Sequence, residues 1–452
     1  MGRSVRIGNG QGFWGDSIDA PLRLFRGGPI DYVTMDYLAE VTMSIMQKQK
    51  LRNPERGYAT DFVQFVDEVL PDLKKRGVRI IANAGGVNTE ACRAAIMESA
   101  KRQNVSGLRV ATVSGDDILD RLDQFRDSGV RLAHMETGEG LFDADRKILA
   151  ANVYMPTDGM VRALDEGADI VITGRCTDPG LVLAPVLHEF KLDGWDGIAL
   201  GTVAGHILEC GAQSTGGNFT RWWEVPDMAG IGYPIAEVSD EGDLVITKHE
   251  GTGGMVTVET VAEQLLYEMG RPDHYITPDC IVDFTSIKIA QDGVDRVRVS
   301  SVKGSMPTET LKVSISYLAG YKATGQLVVS GPDALAKARL CAQVVWDRLA
   351  MSGCHFDDTH EECLGVGVVH EGIVPPAENA PEVVLRLGVK DVDRAKVDRF
   401  GKEIAPLVTS GPPGVTGFAG GRPKAQEIVA YWPALIDRKL VRSEVSVVEV
   451  GS

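Results

Sequence analysis

The chain has 452 residues, 44% apolar and 24% charged, and its 63 Asp and Glu against 47 Lys and Arg give a formal net charge of -16. That length allows two or three domains with a full hydrophobic core. The acidic balance argues against nucleic acid and anionic membranes, because phosphate binding draws on clustered Lys and Arg, and no run approaches the roughly 18 apolar residues of a membrane helix, so a cytoplasmic protein is expected.

In chain order, Val5 to Ile7 reads as a short strand followed by GNGQGFWG, a formal GxGxxG at Gly10, Gly12 and Gly15, with helical periodicity from Ser17 to Phe25. A second strand, Tyr32 to Met35, ends in Asp36 about 20 residues beyond the last glycine, where dinucleotide folds place a ribose-binding acid. Phe13 and Trp14 put bulk where a pyrophosphate would lie, and Asp16 adds negative charge. A Gly-rich βα turn lining some other polar ligand, with Gly12 and Asp16 against it, is therefore preferred to a nucleotide-binding oxidoreductase. Helical spacing after Asp36 puts Glu40 on the same face. Asp16, Asp36 and Glu40 meeting at one strand edge would bind a divalent cation or raise a carboxyl pKa for acid–base work, unless Glu40 caps the helix or pairs with a base.

A helix from Asp61 to Lys75 closes at Gly77, and the strand Val78 to Ala82 leads into NAGGVN, with Asn88 as the N-cap of the next helix. Asn83, Gly85 and Gly86 then sit between a strand end and a helix start, a cradle for a carbonyl or carboxylate oxygen. The strand Leu108 to Val113 ends in Ser114, Gly115 and Asp116, the last read as a cap. Arg131 to Gly140 reads as a surface excursion and candidate lid, and Ala150 to Met155 as a strand with Asn152 facing the crevice. The strand Asp169 to Thr173 ends on Gly174, Arg175, Thr177 and Asp178. His206, Glu209 and Cys210 follow at i, i+3 and i+4 of a short helix, open to three readings: a metal site, a Cys nucleophile with a His base, or a packed helix face. Gly216, Gly217 and Asn218 form a loop over the same pocket. The seven cysteines are scattered without a CxxC pair and read as reduced thiols.

These βα units predict an α/β fold, a parallel sheet wrapped by helices, with a doubly wound, Rossmann-like arrangement favoured over a closed barrel. Ligands bind such sheets at the carboxyl ends of the strands, where these polar residues gather. Further on come a hairpin around Glu241 and Gly242 and the HEGTGG turn, whose Thr252 would meet an anion or simply belong to a capping turn. From Thr277 the pattern alternates as strands: Asp283 to Ala290, Asp295 to Val302, Leu311 to Ala319 and Ala323 to Ser330. Helices over 333–351 and 392–407 accompany them. The expected division is an α/β domain over 1–276 and an α+β sandwich domain over 277–452, with Arg422 and Lys424 as basic residues reaching an anionic ligand or solvating the surface.

Taken together, IGNGQGFWGD, MDYLAEVT, NAGGVN, ADIVITGRCTDPGLVLAPVLHEF, AGHILECGAQSTGGNF, GYPIAEV, KHEGTGG and SGPPGVTGFAGGRPK resemble the acyclic terpene utilisation (AtuA-type) family over nearly the whole chain. Some members look longer by a ferredoxin-like segment at the carboxyl end. The resemblance thus implies a small ferredoxin-like partner subunit supplied in trans, and a role in breaking down branched alcohols through CoA thioesters. The expectation is a catabolic enzyme of lyase or hydratase type, acting on a branched acyl-CoA or small carboxylic acid and assembling as a homo-oligomer. Asp36, Asp178, His206 and Glu209 would move protons, and Asn83, Arg175 and helix amino ends would hold a carboxylate or thioester oxygen. The alternative is a non-catalytic binding or scaffold subunit working with a small partner chain.

Overall fold

The structure, a computed structural model, describes residues 2–192, 194–417 and 420–451, without the side chain of Glu40. Glu40, as a member of the carboxylate cluster, and Phe418 and Ala419 of the Gly/Pro loop therefore lie outside the described residues.

The amino-terminal elements alternate strand and helix: β1 (Ser4–Asn9), α1 (Ala20–Gly27), β2 (Tyr32–Met35), α2 (Glu40–Arg52), α3 (Thr60–Arg76), β3 (Arg79–Ala82), α4 (Thr89–Arg102), β4 (Arg109–Ser114), α5 (Leu122–Asp127), β5 (Ile148–Val153), α6 (Asp158–Asp165), β6 (Ile170–Thr173), α7 (Gly180–Glu189) and α8 (Gly194–Leu208). Then follow β7 (Ile235–Ser239), β8 (Leu244–Thr247), α9 (Val258–Leu266), β9 (Tyr275–Ile276), β10 (Ile281–Asp283), β11 (Lys288–Gln291), β12 (Val297–Ser300), β13 (Lys303–Ser305) and β14 (Thr310–Ser330). The chain continues through α10 (Ala334–Met351), β15 (Asp358–Leu364), β16 (Glu382–Asp391), α11 (Arg394–Ile404), α12 (Leu407–Ser410), β17 (Val415–Thr416), β18 (Gln426–Asp437) and β19 (Glu444–Glu449).

Two compact units are present, Met1–Ser316 with Tyr431–Ser452, and Tyr317–Ala430. The first is mixed α/β. Its main sheet runs β11-β12-β8-β7-β1-β2-β3-β6-β4-β19 among the described residues. The central five strands are mutually parallel, and β7 and β19 flank them antiparallel. Because successive side chains of a strand point to opposite faces, Val33, Ile80, Val110 and Ile172 pack with α1, α3 and α4 in one apolar cluster. Their neighbours Tyr32, Ile81, Ala111 and Val171 pack with α6, α7, α8 and α9 in another. Both faces are thus covered, which is why the central strands read as continuous apolar runs.

Neighbouring strands β3 and β6 send their following helices to opposite clusters, α4 to one and α7 to the other. A crevice therefore opens at their carboxyl ends. Local signals close the elements as the sequence predicts: Gly77 ends α3 in the left-handed region at φ 66°, and the Asn88 side chain caps α4.

Three expectations are corrected. The strand over 150–155 forms as β5 but pairs with β14 outside the parallel sheet. The alternating segments after Thr277 also form, yet β11 and β12 extend the main sheet, so a boundary at 276/277 falls inside the first unit. Alternation marks a strand without saying which sheet recruits it. The two predicted strands Leu311 to Ala319 and Ala323 to Ser330 are one continuous β14. In the second unit, β14 pairs β16 from Tyr321 to Ser330, β15 pairs the other edge of β16, and α10 and α11 pack on the sheet through one apolar cluster. Arg422 and Lys424 are exposed there. Among the described residues no helix is long and apolar enough to cross a membrane.

Helix α8 carries His206 to the crevice, and its distance from α7 is set by Gly205. A Cβ there would come within 2.2 Å of the Pro179 carbonyl oxygen and 2.5 Å of its Cα. Backbone cannot yield as a side-chain tip can, so Gly205→Ala is expected to destabilise the protein by about 1–3 kcal/mol and to push α8 outward. An unchanged thermal unfolding midpoint would show that the close crossing carries no such constraint.

Candidate active site

A cavity of about 540 Å³ lies at the carboxyl ends of the parallel strands, lined in part by Gly12, Asp16, Asp36, Arg175, Asp178, Glu209, Cys210 and Gly217. Asp36 follows β2, Arg175 and Asp178 follow β6, and Glu209 follows α8. Asn9, at the end of β1, donates from Nδ2 to the carbonyls of Leu208 (2.6 Å) and Glu209 (3.2 Å). This pins the end of α8 to the sheet edge.

Arg175 is the central cation and is nearly fully buried. Its Nη1 donates to the Leu38 carbonyl, its Nη2 lies 2.9 Å from Asp178 Oδ1, and its guanidinium carbon sits 4.1 Å from the centre of the Tyr154 ring. Nε has no hydrogen-bond partner among the described residues. A buried charge needs such compensation, since desolvation disfavours it by several kcal/mol.

Asp36 is buried and accepts at Oδ1 from Asn83 Nδ2 (2.7 Å) and from the Leu38 amide (3.1 Å). Burial, with the charge of Asp178 adding to it, holds its carboxyl well above the usual carboxylate range against the pull of Arg175. With both donors on Oδ1, the proton belongs on Oδ2.

His206 and Glu209 form the second proton-holding group. His206 Nε2 lies 3.1 Å from the Gln264 carbonyl, which can only accept, so Nε2 carries hydrogen and Nδ1 faces Glu209 Oε1 at 3.1 Å. Burial pushes Glu209 up to about 7 although His206 pulls it down. Burial opposes charge on His206 too, but the hydrogen bond and charge of Glu209 outweigh it and raise His206. One proton is therefore shared between Oε1 and Nδ1, while Oε2 has no hydrogen-bond partner among the described residues. Burial also pushes the Cys210 thiol up to about 12, which keeps it protonated and removes the thiol-nucleophile reading. Among the described residues no group of three or more His, Cys, Asp or Glu side chains is arranged to hold a metal ion.

The remaining sequence-predicted residues divide. Asp16 reaches the cavity, held by the Gly12 amide (3.0 Å) and the Tyr233 hydroxyl (2.6 Å). The Gly10, Gly12 and Gly15 pattern does not open a helix, since α1 starts only at Ala20; Gly12 instead lies against the Cys210 backbone. Asn83 is spent inside the wall, donating to Asp36 and accepting from the Tyr37 amide at 2.7 Å. Gly85 and Gly86 are packing positions whose added Cβ would meet Thr89 and Met46. Thr177 lines a neighbouring cavity, and of the Gly216, Gly217 and Asn218 loop only Gly217 lines this one. The 131–140 excursion is tied down through a bridge from His134 to Ala434 and a bond from Trp432 Nε1 to the Leu132 carbonyl, unlike a lid. Thr252 bonds the His249 carbonyl within its own turn.

Sequence reading missed Asn9 and the role of Asp116. Asp117, not Asp116, caps the following turn through the Leu119 amide. Asp116 Oδ2 instead accepts from Asn152 Nδ2 (2.9 Å) and from the Arg175 amide (2.8 Å), locking the turn that presents Arg175. An acid after a strand signals a cap as readily as a cross-link, so only the partners distinguish them.

In comparison with known proteins, the model of the family described as "Acyclic terpene utilisation family protein AtuA" matches residues 5–447 of the chain. No curated protein and no solved structure matches it.

Burial raises Asp116 from 3.8 to about 7. Its protonated form therefore contributes stability that is complete at acid pH and is lost as pH rises through about 7. Asp116→Asn keeps one oxygen for both donors and cannot ionise, so the stability lost between mildly acidic and mildly alkaline pH should shrink by about 1–3 kcal/mol. Denaturant unfolding at the two pH values checks this, and identical losses in both proteins would contradict it.

Proposed function

Because the chain belongs to the acyclic terpene utilisation (AtuA) family, which implies a role in acyclic terpene utilisation, we propose that it is a catabolic enzyme of lyase or hydratase type whose substrate is a branched acyl-CoA or small carboxylic acid. The observation that carries this reading is the convergence of two proton-holding carboxyls, Asp36 and Glu209, on one cavity beside the buried Arg175. Carboxyls whose pKa burial raises suit general acid–base work. The parallel core is read with it as doubly wound, since β3 and β6 send their helices to opposite faces and the crevice lies between their ends.

In the elimination direction, Glu209 Oε2 takes the proton from the carbon next to the carbonyl, and Asp36 Oδ2 gives its proton to the departing hydroxyl. The C–H and C–O bonds break, a C=C bond forms, and water leaves. Hydration is the reverse. His206 takes up charge as Glu209 changes state, and burial, with the charge of Asp178 adding to it, holds the Asp36 carboxyl well above the usual range so that it can give a proton.

Glu209→Gln and Asp36→Asn should each lower kcat about 10²- to 10⁴-fold with the fold intact by circular dichroism. In the wild type, kcat/KM for dehydration of a methyl-branched hydroxyacyl thioester should rise through about pH 7 as Glu209 ionises. That limb should vanish in Glu209→Gln. Full turnover in both variants would remove these residues from the chemistry.

A further inference from the structure

Two more cavities of the first unit are linked to the acid pocket by shared lining residues. The second, about 390 Å³, shares Asp178 with it and is walled mainly by Tyr154, Pro179, Tyr275, Leu311 and the threonines Thr308 and Thr310. The third, about 510 Å³, shares Pro278 and Leu311 with the second. Each cavity thus borders the next across a shared side chain.

The third cavity has a different chemistry. Arg162, Arg438 and Arg442 line it together with Trp195, a residue 41% exposed. Three guanidiniums converge here on a chain of net charge -16. Two acids oppose them. Asp158 pairs with Arg162 at 3.4 Å in an exposed contact that solvent weakens. Asp279 Oδ1 accepts from the amide (2.9 Å) and hydroxyl (2.7 Å) of Thr157, while its Oδ2 is buried without a hydrogen-bond partner among the described residues, and burial holds the carboxyl up at about 6 against the pull of Arg438. Arg438 Nη2 donates to the carbonyls of Pro278 (2.6 Å) and Thr308 (3.2 Å), which fixes its guanidinium where the second and third cavities meet. Arg442 is exposed and makes no ion pair among the described residues.

We propose that the three cavities hold one ligand, an acyl thioester of CoA, with its phosphorylated adenosine among the arginines, its pantetheine arm in the second cavity and its acyl carbons between Asp36 and Glu209. This rests on the acyl-thioester branch of the function above and selects it over a free acid. Guanidiniums bind phosphate oxygens in a planar fork, and an exposed indole offers a stacking face for adenine. A small free acid leaves that basic cavity without a purpose. The middle cavity, apolar with threonine hydroxyls, suits an arm that alternates methylene and amide groups.

The test is calorimetric binding of CoA itself to the full chain, with Arg442→Glu and Arg162→Ala chosen because both side chains are exposed and their loss leaves the core intact. CoA should bind the wild type and weaken with added salt. It should lose roughly tenfold or more in affinity in Arg442→Glu, and less in Arg162→Ala, at unchanged thermal midpoints. Glu209→Gln should bind CoA normally, and CoA binding by the wild type with no turnover of the thioester would sink the catalytic reading while leaving the CoA site standing. Absent CoA binding, or equal affinity in Arg442→Glu, would overturn the proposal. So would a methyl-branched free acid that binds where CoA does not and loses affinity in Lys312→Met, which would assign the second cavity to the acid.

Discussion

The buried guanidinium of Arg175 is the constraint on which the site depends. Removing an ion from water costs several kcal/mol, and breaking a buried pair by deleting one partner typically costs about 3–5 kcal/mol. The neighbourhood is arranged accordingly: a carbonyl from Leu38, a carboxylate from Asp178 and the face of Tyr154 all meet the charge. Asp116 and Asn152 hold the turn that presents it. Burial first, and the charge of Asp178 beside it second, hold the Asp36 carboxyl well above the usual carboxylate range against the pull of Arg175.

The same economy governs the other side of the cavity. Glu209 and His206 are both raised, which is coherent only when the two share a proton. The carbonyl of Gln264 decides the tautomer by demanding a hydrogen from Nε2. Asn9 then sets where Glu209 stands by bonding the carbonyl of Leu208, the last residue of α8, and that of Glu209 itself. Two proton-holding groups lining one cavity, one tied to β2 and one to α8, follow from a sheet whose connecting helices part to either face at β3 and β6.

Much of this was legible in the chain, though unevenly. The polar residues closing β2 and β6 were readable because a continuous apolar run ending in Asp36 or in Arg175 and Asp178 marks a strand reaching the sheet's edge. Asn83 was readable as a residue of that edge but not by its duty, because an amide can face a ligand or brace a neighbour and here it braces Asp36. Gly85 and Gly86 misled in a similar way, since a glycine required by packing looks the same in sequence as one required by a ligand. Thr177 turned out to line the next cavity along.

By itself the sequence determined the alternation of strands and helices, their caps, the crowding of polar groups at strand ends and membership of the family, all of which depend on local spacing or on motif identity. Tertiary structure decided the rest. It placed β11 and β12 in the main sheet and β5 outside the parallel core, because register and partner choice are settled by contacts between segments far apart in the chain. It also turned ordinary aspartates and a glutamate into proton-holding groups, because a pKa is set by burial and by neighbouring charge, and neither exists until the chain has folded around them.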